Sequence, residues 1–384
     1  MTQGVFVMPF DLTETLTSWR HHLHAHPELS LQESATAAFV CEKLQEMGIP
    51  YTANVGGHGV VATLTRGASN RSVGLRADMD ALAITETTGK PYASKTPGVM
   101  HACGHDGHTT SLLGAAKLLL DDTGWSGTVR FVFQPAEEGY GGALSMIKDG
   151  LFERFPVERM FGYHNWPDLE TGTVMLHRGP SMAAAGNFTI ALTGRAGHAA
   201  MPHLTADPVQ GAAHLIVALN AIVARNVEPV QSAVISVTRM QGAEAFNQIP
   251  ETARIGGTYR AHSHEMMQFL EQRMRAVAEH TAAAFNVKAE AEFGHYLSPT
   301  VNHEAEVDLA AGVAAGIGRN VRHDMRPTMG AEDFGYFLER VPGSYAWIGN
   351  GPSAGLHNSN FDYNDALLPI AAGYLAETAK AALK

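Results

Sequence analysis

Cysteine is nearly absent from this chain: Cys41 and Cys103 are the only two in 384 residues. Two thiols do not make a disulfide framework, which leaves the fold to a hydrophobic core. Basic residues are also short, with 27 Lys and Arg against 38 Asp and Glu, a formal net charge of −11. Nucleic acids and anionic membranes are met by basic patches, so this balance argues against both as partners. No apolar run approaches the roughly 18 residues of a membrane span. The first residues, MTQGVFVMPFDLTETLTSW, lack a basic start and turn acidic early, which argues against a signal peptide. A cytoplasmic protein is the expectation. Hydrophobic residues make up 45% of the chain, enough for a large core and for more than one domain.

Histidine is what the chain has in quantity, at 20 residues, several of them clustered. Residues 101–110, HACGHDGHTT, place three histidines, a cysteine and an aspartate within eight positions. Such a stretch is either a polar loop or a place that holds something.

Periodicity gives an α/β reading. Asp11 and Thr13 are candidate caps for a helix through Leu16, Trp19 and Leu23, and 34–47 reads as a second helix closed by Gly48. Strands are expected at 59–64, 73–75, 128–133 and 159–163, with a helix at 109–120. Alternating strands and helices argue a largely parallel sheet, and polar chemistry in such sheets collects just beyond the strand ends. From about Ala185 the pattern changes to strand 188–193, helix 207–227, strands 233–240 and 254–260, helix 263–285 and strand 287–293. That order, β-α-β-β-α-β, matches a ferredoxin-like unit. The expected organisation is a catalytic domain made of 1–184 and 295–384, with 185–294 inserted as a lid or dimerisation domain. The chain should end in a helix from Leu367 to about Leu383.

Cys103 and His105, two apart, can point at one ion, and a thiolate with an imidazole suits a transition metal. The same residues also fit a nucleophilic dyad, or a polar cap before a helix. Glu137 and Glu138 repel if both are ionised and close; one could hold a cation while the other acts as a base. An exposed acidic turn is the plainer alternative. His164 follows a predicted strand and His357 lies late in the chain, and a lone histidine is more often structural. Together, Cys103, His105, Glu138, His164 and His357 are five metal-capable side chains in loops of the first domain. Five exceed one tetrahedral structural site and suit two divalent ions sharing a bridging ligand and a water. Zinc, manganese, cobalt or nickel each fit such donors.

Six segments occur in one order: GLRADMDAL (74–82), PGVMHACGHDGHTT (97–110), FQPAEEG (133–139), GRAGHAAMPH (194–203), GAEDFGYF (330–337) and LHNSNFDYND (356–365). In these the chain resembles, over nearly its whole length, the metal-dependent amidohydrolases of the hippurate hydrolase type. That group includes N-acyl-amino-acid hydrolases and plant auxin-conjugate hydrolases, and is related to zinc aminoacylases and carboxypeptidases. The resemblance implies a two-metal site held by Cys103, His105, Glu138, His164 and His357, with Cys103 where more distant relatives place a bridging aspartate. It implies Glu137 as general base, His198 as a group polarising the substrate carbonyl, and Asp78 as an aspartate supporting the metals. Asn247 and Arg260 match positions that grip the substrate's free carboxylate. It also implies a homodimer, or a higher homo-oligomer, through the inserted domain. Three departures stand out: Arg76 where distant relatives have a histidine ligand, Ala83 for a common proline, and Asn358-Ser359-Asn360 for a proline-containing version.

The implied activity is hydrolysis of the amide bond of N-acyl amino acids. Alternatives are a dipeptidase or carboxypeptidase on small peptides, a hydrolase with Cys103 as nucleophile, and a non-catalytic metal-stabilised binding protein. A Cys103 nucleophile leaves Glu137 and Glu138 without work, and a binder has no need of a base.

Overall fold

The computed structural model describes residues 10–139, 141–294 and 297–384, so the first nine residues of the N-terminal segment discussed above lie outside the described residues. The chain divides into two compact units. One holds the described residues up to Ser181 together with Val301–Arg326 and Asp333–Lys384; the other holds Met182–Thr300 and Pro327–Glu332. The short return, 327–332, was expected in the first domain. Hydrogen bonds tie it to the second unit: Ala183 N–H donates to Gly330 O at 2.9 Å, and the side chains of Arg260 and His262 donate to the Met329 and Thr328 carbonyls, each at 2.9 Å.

The first unit is built on an eight-stranded mixed sheet. Its strands in chain order begin β1 (Tyr51–Val55), β2 (Gly59–Arg66), β3 (Ser72–Asp78), β4 (Gly127–Gln134), β5 (Arg159–Pro167) and β6 (Val174–Met175). Strands Val321–Arg322 and Gly343–Gly351 complete it, in the spatial order β1-β2-β4-β3-β5, then 343–351, β6 and 321–322. The central strands β4, β3, β5 and Gly343–Gly351 run parallel, while β1 and β2 are antiparallel additions at one side. Gly343–Gly351 pairs antiparallel with β6, and β6 pairs parallel with Val321–Arg322 at the other edge, so the sheet is mixed rather than largely parallel throughout. Parallel strands buried on both faces carry apolar runs, and Gly343–Gly351 is buried at every residue.

Helices α1 (Phe10–Ala25), α2 (Ser34–Glu46) and α3 (His105–Asp121), with the C-terminal helix Leu367–Ala382, surround this sheet. Leu16, Leu112, Leu113, Leu368 and Leu375 pack with Leu75, Phe131, Phe161 and Ile348 in one core. Gly114 lets α3 approach closely, since a Cβ there would stand 2.8 Å from Leu16 and 2.9 Å from Ala372. Asp11 and Thr13 lie inside α1, which already runs from Phe10, so neither caps it. The strand Tyr51–Val55 was not anticipated.

The second unit is an antiparallel sheet ordered Ala233–Gln241, Thr252–Ala261, Ala184–Thr193, Lys288–Phe293. Phe188, Ile190 and Leu192 alternate toward Leu215 and Leu219 of helix Pro208–Asn226 and Met267, Leu270 and Met274 of helix His264–Ala284. Asp207 caps the first helix by accepting from the Val209 and Gln210 N–H groups, and Ser263 caps the second through Met266 N–H.

Buried charge also anchors α1. His24 is fully buried, with Nδ1 2.8 Å from Asp106 Oδ2 and Nε2 3.3 Å from Glu86 Oε1. Both ring nitrogens face carboxylates, so both must donate, and the ring is an imidazolium. Burial alone would lower its pKa, but Asp106 and Glu86 outweigh burial and raise it from 6.5 to about 9. A folded pKa above the unfolded one gives stability that is full below pH 6.5 and lost as pH rises through 9. The shift corresponds to about 3 kcal/mol. Denaturant unfolding followed from pH 6 to 9.5 should show a loss of that order in the wild type and a much flatter profile in His24→Gln. Equal pH profiles in the two proteins would contradict this account.

Candidate metal centre

The chain's polar clusters meet where the parallel strands end. Asp78 closes β3, Glu137 and Glu138 follow β4, and His164 lies near the end of β5. His164 is thus inside a strand rather than in a loop after one. His105 is not in a loop either, because it opens α3, four residues earlier than the expected helix. Gly104 makes the difference, with φ +93°, a left-handed turn just before the helix. A Cβ on Gly104 would lie 2.2 Å from Asn165 Oδ1, so only glycine lets this turn sit against the end of β5.

Two further bends aim the remaining side chains. Ala136 has φ +54°, and its N–H donates to Glu33 Oε1 at 2.7 Å, which turns the chain as it leaves β4. His357 has φ +61°, and its N–H donates to Ala102 O at 2.8 Å, beside Cys103.

The structure brings all five expected metal-capable side chains together. Cys103 Sγ is 3.4 Å from His164 Nε2, and Glu138 Oε1 is 3.4 Å from His357 Nε2 and 3.9 Å from His105 Nε2. The donor atoms of Cys103, His105 and His164 lie within 4.8 Å of one another, and so do those of Cys103, Glu138 and His357. Cys103 belongs to both groups. Glu137 forms a third such group with His105 and Glu138.

Two observations bear on whether these residues fit cations. His105 Nδ1–H donates to Asp80 O at 2.9 Å, and His164 Nδ1–H donates to Asn165 O at 2.7 Å, so each ring aims Nε2 at the cluster. Histidine ligands are commonly held in this way by their second nitrogen. His105 Nε2 and Glu138 Oε1 are also buried with no hydrogen-bond partner. Buried polar atoms without partners are rare, and a cation between them would satisfy both. The donor set of thiolate, imidazole and carboxylate fits divalent transition metals.

The surrounding charge is arranged tightly. Asp78 is fully buried; burial would raise its pKa, but His105, Arg76 and His108 hold it well below the usual carboxylate range. For His105, burial works downward, yet Asp78, Asp80 and Glu138 raise it to about 10 in the ion-free chain. Burial dominates at His164 and drives its pKa well below 6.5, which keeps the imidazole neutral. Arg76 donates to Asp78 at 2.7 Å, Gln134 at 2.8 Å, Asp333 at 3.0 Å and Tyr345 at 3.2 Å. A fixed cation therefore stands where distant relatives were expected to have a ligand.

Sequence reasoning missed Asp80 and His108. Asp80 holds His105, and His108 bridges Asp78 at 2.6 Å and Asn165 at 2.7 Å. The Asp78-x-Asp80 alternation and the i, i+3 spacing of His105 and His108 were the available signals.

The other three expected site residues belong to the second unit. His198 pairs with Gln248 in a two-stranded ribbon, and Ala199 N–H donates to Asn247 O at 3.0 Å, so His198 and Asn247 are neighbours. His198 Nδ1 accepts from Ala200 N–H at 3.1 Å, which leaves the proton on Nε2 and makes the exposed ring a donor. Arg260 lies on the strand Thr252–Ala261, half-buried, with Nη1 on Met329 O.

Known proteins are similar to this chain in sequence and fold. The chain is 42% identical to the hippurate hydrolase of Campylobacter jejuni over 97% of its own length and 98% of that protein's. It is 42% identical to the N-acetyl-L-cysteine deacetylase of Bacillus subtilis, covering 96% of this chain and 88% of that one. Among solved structures, a dinuclear metal-binding peptidase of the M20 family from Bacillus subtilis superposes with a TM-score of 0.88 at 35% identity, covering 98% and 99% of the two chains. Residues 74–381 match the description of Peptidase family M20/M25/M40, and the chain belongs to that family of hydrolases.

Proposed function

We propose that this protein hydrolyses the amide bond of N-acyl amino acids, releasing a carboxylic acid and a free amino acid, with two divalent metal ions at the centre. The observation that carries the reading is the pair of overlapping donor groups that share Cys103, with the buried carboxylate of Glu137 beside them. Cys103, His105, Glu138, His164 and His357 would hold the ions, with Asp80 fixing His105 from behind at Nδ1 and Asp78 standing 3.8 Å from its Nε2. Zinc, manganese, cobalt and nickel all suit these donors. When bound, such ions act as Lewis acids that acidify water and draw charge from the amide carbonyl.

The chain's own residues supply the rest. Glu137 takes the proton from the attacking water and returns it to the leaving amine. A cation held by Glu138 would lessen the repulsion between the two neighbouring carboxylates. The Nε2–H of His198 donates to the oxyanion as the carbonyl becomes tetrahedral. The guanidinium of Arg260 and the amide of Asn247 grip the substrate's free carboxylate, for which a planar fork is suited. The relatives named for hippurate and N-acetyl-L-cysteine support an N-acyl amino acid as substrate. We read the working form as a cytoplasmic homodimer or higher homo-oligomer; no described helix is long and apolar enough to cross a membrane.

The 3.4 Å approach of Cys103 Sγ to His164 Nε2 gives a second reading, a cysteine nucleophile with a histidine base. The two readings part on chelation. Amino-acid release from a panel of N-benzoyl and N-acetyl amino acids should vanish with chelator and return with metal; release that ignores chelator would favour the nucleophile. Cys103→Ala should lower metal affinity at least about 100-fold together with activity, since it removes a donor common to both groups. Normal stoichiometry and turnover in that variant would sink the assignment. Glu137→Gln should bind metal normally and lose about 10²–10⁴ in kcat, the usual worth of a positioned base. Because His105 keeps its proton up to about pH 10 without an ion, loading must displace it. Calorimetry in two buffers of different ionisation enthalpy at pH 7.5 should therefore report net proton release, with affinity rising as pH increases. Loading without proton exchange would speak against His105 as a ligand.

A further inference from the structure

Arg20 lies on α1, on none of the segments that carry the five donors. Its side chain is completely buried, and it faces three carboxylates. Nη1 donates to Asp362 Oδ1 at 2.9 Å and lies 3.4 Å from Asp106 Oδ2, while Nε is 2.7 Å from Asp365 Oδ1. The Tyr92 ring covers the guanidinium at 4.5 Å, and its hydroxyl donates to Asp362 Oδ2 at 2.8 Å. His21 stacks on the same ring at 3.7 Å, and its Nε2 lies 2.8 Å from Asp365 Oδ2. Lys90 Nζ adds a partner for Asp362 at 3.0 Å.

The three acids are not scattered. Asp106 is the residue after His105, on the first turn of α3. Asp362 and Asp365 close the segment LHNSNFDYND that begins beside His357. That segment is irregular between Gly351 and Leu367, and its His357 side chain is half exposed. Its backbone is tied on one side by the His357 N–H bond to Ala102 O and on the other by Asn350 Nδ2 donating to Asp362 O at 3.1 Å. Arg20 is the buried cation whose one nitrogen meets both the His105 side and the His357 side. Without it, Asp106 would keep His24, Asp362 would keep Lys90 and Tyr92, and Asp365 would keep His21, but the one cation that spans the two segments would be gone, and like charges would push the segments apart.

We propose that Arg20 is a positioning residue: it touches none of the five donors, yet it sets the separation of His105 and His357 and through it the affinity of the centre for metal. This rests on the reading that those histidines hold ions. Arginine suits the task because a planar fork can engage several carboxylates at once, whereas lysine offers a single point charge.

The test measures zinc affinity by competition with a chelator of known strength, on the full-length wild type, Arg20→Lys, Arg20→Gln and Asp362→Ala. Phe131→Ala serves as a control that loosens the sheet core without touching this network. Arg20→Gln and Asp362→Ala should weaken the more weakly held zinc by about 10–100-fold, the usual effect of losing a residue that holds a ligand in place. Arg20→Lys should fall between them and the wild type. Phe131→Ala should melt lower and bind zinc as the wild type does. The d–d absorption of the cobalt-loaded Arg20→Gln protein should shift relative to wild type. Where Arg20→Gln does not fold, Asp362→Ala, on a partly exposed residue, carries the comparison. Folded variants whose zinc affinity stays within twofold of wild type would overturn the positioning role and leave Arg20 as a purely structural ion pair. A wild-type protein that takes up no zinc, manganese, cobalt or nickel would overturn the metal reading itself and this proposal with it.

Discussion

Asp78 keeps its charge although it is fully buried, and much of the centre's geometry follows from how that charge is balanced. Arg76 reaches it at 2.7 Å, His108 at 2.6 Å and His105 at 3.8 Å. A carboxylate buried without partners would be protonated, and the carboxyl would then release the groups it orients. Here the balance works in both directions. Asp78 and Asp80 make His105 strongly basic, while Arg76 ties Asp78 and Gln134, at the ends of neighbouring strands, to Asp333, in the turn before the short helix Gly335–Leu338. The side chains that face the metal-capable cluster are held in place by a layer of paired charges behind them.

The fold supplies the register for this layer. Strands β3, β4 and β5 are parallel and adjacent, so Asp78, the Gln134–Glu138 run and His164 leave the sheet on one edge. Helix α3 starts at the same edge because Gly104 turns left-handed there, and its first residue is His105. Glycine at that position is dictated by the amide of Asn165, the residue next to His164. A single tight contact thus couples the helix that carries one histidine to the strand that carries another.

Much of this was legible in the sequence, and the limits have physical causes. The helices read from Asp207 and from Ser263 and the apolar strand read at 128–133 announce themselves locally, because their signals span only a few residues. The donors were found by residue type and by resemblance; their convergence needed the sheet. The start of α3 was hidden because HACGHDGH reads as polar loop, and the helix there is stabilised by burial rather than by propensity. Partner residues were the least visible. Arg20 and Asp362 are 342 positions apart, His108 and Asn165 are 57 apart, and no short-range pattern links either pair. Arg76 was noticed only as a departure, and its role as the cation between Asp78 and Asp333 emerged from distances.

The sharing of Cys103 by two donor groups is the central claim, and X-ray absorption at the zinc edge of the zinc-loaded protein tests it most directly. The account predicts two zinc ions per chain, a zinc–sulfur distance of about 2.3 Å and a zinc–zinc vector of about 3.5–4 Å. A spectrum with nitrogen and oxygen neighbours only, or a single zinc bound through sulfur with no second ion near it, would contradict the account.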